Sequence, residues 1–153
     1  MKLTELGEEF ELWKNDFHNV KDNTRRFLEY LTDNKKEVKL WKHQLDAILR
    51  VIYSYEVLGK NNLLLNIVTG GGKTAIIGGC VAWLKMCQSL DKFLILVPNL
   101  IVRDRLQRDF LVINGEKSVF QKFDFFPPEF KHLENELNTH IMEGGSSPQG
   151  IIE

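Results

Sequence analysis

Apolar residues recur at spacings of three and four over the first third of the chain, which is the pattern of amphipathic helices. One such stretch runs from Thr4 to about Leu31, and a second runs from Trp41 to the turn residues at 59–62. The segment between them, residues 35–39, is charged and predicted to be solvated. The N-terminal part of the chain is therefore predicted to be helical.

Two continuous apolar runs follow, at residues 63–68 and 93–97. Each run is bounded by turn residues and is too short for a typical helix, which favours a strand that is covered on both faces, as in a parallel sheet. Stretches with helical character come after each run, at 74–87 and 100–110. A strand, a turn and a helix that repeat in this way predict an α/β fold with a parallel sheet.

The C-terminal part of the chain is less regular, and no internal repeat is found in the sequence. Its predicted features, in chain order, are a strand around 119–120, a break at 127–128, a helix over 130–141, a loop at 144–148 and the start of a strand at 151–152. The loop consists of glycine, serine and proline, a composition that is typical of flexible segments.

The composition is that of an ordinary folded domain, with 43% hydrophobic and 27% charged residues. The 20 basic and 21 acidic side chains give a formal net charge of -1. This balance argues against a basic nucleic-acid-binding surface over the whole chain, but it is compatible with a local basic groove.

The two cysteines, Cys80 and Cys87, fit neither a paired zinc site nor a redox motif by their spacing, so we predict buried or half-buried free thiols in a reducing compartment. The N-terminus lacks the cationic start and apolar run of a secretory signal. No apolar stretch approaches the roughly 18 residues that would span a bilayer. A cytoplasmic protein without membrane contact is therefore expected. The three tryptophans, Trp13, Trp41 and Trp83, are expected to pack in the core or between helices.

The most informative segment is the glycine turn between the first apolar run and the following helix, Thr69-Gly70-Gly71-Gly72-Lys73-Thr74. A glycine turn lets several backbone N–H groups point towards one anion, and the helix that follows adds its positive N-terminal dipole. Lys73 can reach the outer phosphates of a nucleotide, and the Thr74 hydroxyl can bind Mg²⁺. The sequence therefore predicts a P-loop that binds ATP and Mg²⁺.

The loop departs from the longest form of the P-loop pattern, G-x-x-x-x-G-K-[ST], because Ile67 occupies the first glycine position. It matches the shorter form T-G-x-G-K-T. The alternative, a glycine turn that merely joins two elements, is disfavoured by the apolar run before the loop and the apolar helix after it.

These residues resemble motif I of superfamily 2 helicases and translocases. The upstream segment Leu40-Trp-Lys-His-Gln-Leu-Asp-Ala-Ile48 resembles the family's L-R-x-Y-Q-x-x-A-I, and the downstream segment from Phe93 to Leu106 resembles its motif Ia. The closest likeness is to the Res (helicase) subunit of type III restriction enzymes and its DEAD/DEAH-like relatives. The resemblance covers residues 40–110, and it implies a RecA-like P-loop domain with a parallel sheet.

The resemblance also implies roles for residues outside the loop. Gln44 would hydrogen-bond the adenine edge, since an amide both donates and accepts. Asn99 and Arg103 would approach the nucleic-acid backbone, with Arg105 and Arg108 as further contacts, because guanidinium groups match phosphate geometry. The alternative for each arginine is a solvated helix face with local ion pairs. Trp41 stands where the family has arginine.

The family's acidic D-E-x-H-like box, which positions Mg²⁺ and the attacking water, does not follow in this sequence, and neither do the motifs of a second RecA-like lobe. We therefore expect an N-terminal helical segment over 1–39 and an incomplete first RecA-like domain over 40–153. Such a fragment is expected to be inactive alone. The full-length protein would act as an ATP-driven translocase on double-stranded DNA, with a modification (methyltransferase) subunit as partner.

Two other functions stay open on the sequence alone. Another P-loop enzyme, such as a nucleotide or small-molecule kinase, would share the glycine turn and Lys73. A non-catalytic interaction module would use the helices of residues 4–31 to dock a partner.

Overall fold

The computed structural model of the protein describes residues 3–112 and 115–140, and every regular element in these ranges is helical. A π-helical turn over Tyr53–Val57 extends the third helix, and a 3-10 turn over Pro128–Phe130 precedes the last one. None of the described helices is long and apolar enough to cross a membrane. The α-helices are α1 (Leu3–Trp13), α2 (Asp22–Thr32), α3 (Lys42–Ile52), α4 (Lys73–Gln88), α5 (Leu100–Phe110), α6 (Val119–Lys122) and α7 (Lys131–Asn135).

The predicted α/β fold, a RecA-like domain with a parallel sheet, is wrong for the described residues, because they contain no strand. Both apolar runs lie between helices without forming a strand ladder, and they lie at the surface. Leu64 is 96% exposed and Leu96 is 83% exposed. An apolar run indicates that a segment could be covered on both faces, but a strand also needs a neighbouring backbone that completes its hydrogen bonds.

The predicted strand around Val119 and Phe120 is a helical turn instead, and local hydrogen bonds explain the difference. The Ser118 hydroxyl accepts from the Gln121 N–H at 3.4 Å, and the Gln121 side-chain oxygen accepts from the Ser118 N–H at 3.3 Å. This reciprocal pair is a capping box, which starts a helix and satisfies two backbone donors. The loop and strand predicted at 144–148 and 151–152 lie outside the described residues.

The helices predicted from periodicity between residues 4 and 110 are confirmed, with shifted bounds, whereas the helix predicted over 130–141 is reduced to the short α7 (Lys131–Asn135). The stretch from residue 4 to 31 is two helices, because the chain turns at Phe17 and Asn19, which both have positive φ angles of 48° and 58°. The helix after the glycine turn begins at Lys73, and the helix over 100–110 has the predicted bounds.

Helix α4 lies at the centre of the fold and contacts α2, α3, α5, α6 and α7. Its residue Trp83 is fully buried, as is Trp13 of α1. Apolar residues of α1 and α2 belong to the same core cluster as those of α3 and α4. A domain boundary at residue 39 stays a prediction.

A polar network centred on Glu56 joins α2 to the C-terminal end of α4. The Glu56 carboxylate accepts from the Lys21 N–H at 2.8 Å and from the Thr24 hydroxyl at 2.5 Å. It also accepts from the Gln88 side-chain amide, while the Trp83 indole N–H donates to the Thr24 hydroxyl at 3.1 Å. Buried polar groups at this junction are therefore satisfied by one another.

Two glycines let α4 pack closely on its neighbours. A Cβ atom added at Gly79 would lie 2.4 Å from Ile48 Cδ1 on α3 and 3.1 Å from Phe125 Cε1. One added at Gly78 would lie 3.1 Å from both methyl groups of Val119. Glycine within a helix is ordinarily unfavourable, so at these two positions the loss of helix propensity is accepted because only glycine allows the close contact.

We predict that Gly79→Ala lowers the free energy of unfolding by up to about 2 kcal/mol, because an overpacking cost of roughly 1–3 kcal/mol is offset by the roughly 1 kcal/mol gained in helix propensity. Gly7→Ala in α1 is the matched control, since a Cβ there meets nothing within 4 Å. It is expected to stabilise the protein by up to about 1 kcal/mol. Urea unfolding followed by circular dichroism measures both, and equal stabilisation by the two variants would contradict the close contact.

Both cysteines are free, as predicted, and burial raises the pKa of each thiol to about 12. Since only the thiolate reacts with disulfide reagents, we expect neither cysteine to react rapidly in the native protein at pH 8. Both should react when guanidinium unfolds the chain and restores an ordinary pKa. A colorimetric thiol assay counts the reactive groups, and one rapidly modified thiol in the folded protein would contradict this picture.

Candidate nucleotide-binding site

The glycine turn separates the first exposed apolar run from α4, as the sequence predicts. Thr69 is exposed at its start, Gly70 has a φ of 81°, and Gly72 has a φ of 69° as the N-cap of α4. Gly71 between them does not have a positive φ. Both angles lie in the left-handed region that glycine adopts without strain, so these two glycines set the tight turn ahead of α4.

The loop is packed so tightly that its glycines are required by space as well as by conformation. A Cβ at Gly72 would lie 2.0 Å from Gln44 Nε2, and one at Gly71 would lie 2.8 Å from Ile67 Cγ2. At Gly70 an added Cβ meets nothing within 4 Å, so the positive φ is the constraint there. Gln44 at the start of α3 thus packs directly against the loop at Gly72.

Two side chains of α3 hold the loop in place. Gln44 is 3% exposed, and its side-chain oxygen accepts from the Trp41 N–H at 2.9 Å. His43 Nε2 lies 2.8 Å from the Gly71 carbonyl oxygen, to which a protonated ring nitrogen donates. No motif in the sequence predicts this contact of His43, and its position directly before Gln44 is the one signal for it.

Lys73 and Thr74 open α4 at the edge of this loop. Lys73 is exposed, and its ammonium group donates to the Val68 carbonyl oxygen at 3.1 Å. The same oxygen accepts from the Gly71 N–H at 3.1 Å, so Val68 links the Lys73 ammonium to the backbone of the turn. Thr74 is half-buried. A phosphate in the loop would replace Val68 as the partner of Lys73.

A cleft of about 290 Å³ lies beside the loop. Trp41 is 59% exposed at its rim, so the expectation that all three tryptophans pack inside is wrong for this one. The lining residues are Trp41 and Gln44 from the start of α3, Gly72, Thr74 and Ala75 around the start of α4, Asp109 from α5, and Val119, Lys122 and Phe123 from the α6 region.

The residues present fit a nucleotide phosphate. The N-cap of α4 makes no side-chain hydrogen bond, so the first N–H groups of this helix are not occupied by a capping side chain. For magnesium, residues 3–112 and 115–140 contain no group of three or more His, Cys, Asp or Glu that could hold an ion. A magnesium ion would therefore depend on Thr74 and on the phosphates themselves, as this ion commonly does at nucleotide sites.

The predicted nucleic-acid contacts lie on α5, outside the cleft. Asn99 is the N-cap of α5, and its side-chain oxygen accepts from the Val102 N–H at 3.0 Å. Arg103 pairs with Asp104 at 2.9 Å, and the Arg108 Nε donates to the Asp104 carbonyl oxygen at 3.3 Å. The structure thus gives Asn99 a capping role and places the arginines along a surface helix.

We predict that Gly72→Ala is more damaging than Gly70→Ala. Both substitutions place alanine at a positive φ, which costs roughly 1–2 kcal/mol. Only the first also drives a methyl group into the Gln44 amide, which should add at least about 1 kcal/mol. Thermal and urea unfolding of the two variants provide the comparison. Equal losses would show that Gln44 does not support the loop.

One comparison with known proteins found a match. The family model described as type III restriction enzyme, res subunit, matches residues 37–142, a range that contains the loop, α3, α4 and α5. No curated protein and no solved structure matches the chain. Because the match spans well over half of the 153 residues, the chain belongs to the family of the type III restriction enzyme res subunit, a helicase-like ATPase family.

Proposed function

We propose that this chain supplies the ATP-binding part of a DNA-dependent, helicase-like ATPase of a restriction system. One observation carries the proposal: a glycine turn with left-handed residues at Gly70 and Gly72, packed against α3, leads into the uncapped N-terminus of α4 with Lys73 beside it. Membership of a family that typically uses ATP and Mg²⁺ supports the choice of ligand.

In this proposal the loop and α4 bind the triphosphate. The backbone N–H groups of residues 72–74 would surround the outer phosphates, and the Lys73 ammonium would move from the Val68 carbonyl to a phosphate oxygen. The Thr74 hydroxyl would hold magnesium, which neutralises phosphate charge when bound. Gln44 would contact the adenine edge from its buried position beneath the loop.

Hydrolysis makes a further demand on the protein. Phosphoryl transfer to water needs a residue that orients the attacking water and acidic ligands that fix the metal. The described residues contain no carboxylate cluster of that kind. We propose that they bind the nucleotide, and that turnover needs groups supplied by the full-length protein, so the isolated chain should hydrolyse ATP no faster than buffer.

The proposed contact with duplex DNA lies on α5. Arg105 and Arg108 are exposed on this helix, and Arg103 lies closer to its covered side. The same helix carries Asp109, which lines the cleft beside Thr74. One rigid element therefore borders both the proposed nucleotide site and the proposed DNA surface, which suits a motor that couples the two. A modification subunit is the proposed partner in the intact system.

We predict that Lys73→Ala weakens binding of ATP to the chain at least tenfold and abolishes ATP turnover in the full-length protein, because the ammonium is the charge closest to the loop. Titration calorimetry and a phosphate-release assay with duplex DNA measure the two effects. Lys35→Ala, which removes an exposed lysine before α3, is the charge-matched control.

Both quantities should stay at wild-type values in the Lys35 variant. Wild-type turnover in the Lys73 variant would refute the assignment of the loop. Turnover in the full-length protein that does not respond to DNA would refute the DNA-dependent part alone.

A further inference from the structure

A second lysine, besides the one in the glycine turn, borders the proposed phosphate site. Lys122 of α6 lines the same cleft as Gly72 and Thr74, and it is the basic residue among the described residues of that lining. Its side chain is exposed, and within residues 3–112 and 115–140 it forms no ion pair or hydrogen bond. An ammonium group without a protein partner is available to an anion that enters the cleft.

The position of Lys122 is fixed by the helix that carries it. A capping box between Ser118 and Gln121 holds the first turn of α6. Val119 and Phe120 are buried, at 2% and 5% exposure, so the apolar face of α6 packs into the core. Val119 precedes Lys122 by three positions and lines the same cleft, which is the relation expected of neighbours on one helix face.

The C-terminal end of α6 is anchored by two residues from the N-terminal part of the chain. The Lys36 ammonium donates to the Asp124 carbonyl oxygen at 2.7 Å and to the Phe123 carbonyl oxygen at 3.3 Å. The hydroxyl of Tyr30 on α2 donates to the Asp124 carboxylate. Lysine side chains near the end of a helix can satisfy the last carbonyl groups, which have no partner within the helix.

The anchored turn is held from several sides. Asp124 has a positive φ of 47°, a conformation that persists when surrounding contacts hold it. Its carboxylate also accepts from the Lys131 ammonium at 3.0 Å, and the Lys36 ammonium lies 4.0 Å from the centre of the Tyr30 ring. Tyr30 and Lys36 both precede the family-matched range 37–142, so the family model does not cover this anchor.

We propose that Lys122 is a second cation for the phosphates of the bound nucleotide, in addition to Lys73, and that Tyr30 and Lys36 are positioning residues that hold α6 in place for it. This inference rests on the proposed function, and it assigns a role in that site to residues that precede the family-matched range. The two lysines lie on different helices, so the bound phosphates would join α4 to α6. A triphosphate carries several negative charges and gains from each cation that can contact it.

Titration calorimetry with Mg²⁺-ATP and with inorganic tripolyphosphate tests the role of Lys122. Because the lost hydrogen bond is to phosphate, Lys122→Met should weaken both ligands by the same factor, about five- to tenfold. Lys122→Arg should retain most of the affinity. Added salt should reduce the factor, since Lys122 is exposed. Lys117→Met, which removes an exposed lysine just before α6, is the charge-matched control and should bind both ligands like the wild type.

A double-mutant cycle separates the positioning role of Lys36 from a general effect on folding. Lys36→Met should weaken both ligands about threefold in the wild-type chain and have no further effect in the Lys122→Met variant, because residues that act through one contact are not additive. Lys36→Arg should restore most of the affinity. A lower unfolding temperature with unchanged affinity would contradict the positioning role. An equal loss of affinity in both backgrounds would show that Lys36 acts on the glycine turn instead.

Two further outcomes would overturn the role of Lys122. Equal affinities of wild type and Lys122→Met would remove this lysine from the site and leave the proposed function intact. Loss of ATP affinity with unchanged tripolyphosphate affinity would show that Lys122 does not act on the phosphates. Failure of the wild type to bind either ligand would refute the proposed function itself and this inference with it.

Discussion

The close approach of α3 and α4 at two glycines positions the glycine turn relative to the core. Gln44 packs on Gly72 at the start of α4, and Ile48, one turn further along α3, packs on Gly79. Both contacts are too short to admit a methyl group. The separation of the two helices and the position of the loop are therefore set by the same interface, and the site depends on core packing as much as on its own residues.

Most of the helices could be predicted from the chain because their information is local. The spacing of apolar residues identifies α3, α4 and α5, and the glycine turn identifies where α4 begins. The sheet could not be predicted in the same way. The apolar side chains of a run such as 63–68 favour burial, but the run itself does not determine which strand would pair with it or which layer would cover it. Near Val119 the capping hydrogen bonds between Ser118 and Gln121 stabilise a helical turn, although valine and phenylalanine side chains favour strands.

The residues of the candidate site also fall into those that the sequence predicts and those that it does not. The loop residues and Gln44 carry patterns that are recognisable without a structure, and the structure places Gln44, Gly72 and Thr74 around one small cleft. His43 and Trp41 have no such pattern, because a histidine and a tryptophan at the start of a helix are compatible with burial or exposure. The contact of His43 with the loop and the exposure of the Trp41 ring are visible only in the structure. The nucleotide and DNA assignments remain proposals that the family membership supports.

The exposed apolar runs have a consequence for the behaviour of the protein in solution. Leu64 and Leu96 are mostly in contact with water, so replacing them by serine would remove little from the free energy of folding. Their main effect is on self-association, because exposed apolar segments with unpaired backbone groups favour contacts between molecules. Salts such as sulfate, which are excluded from the protein surface, strengthen this tendency. The exposed leucines therefore affect the concentration at which this chain self-associates more than they affect the stability of its helical core.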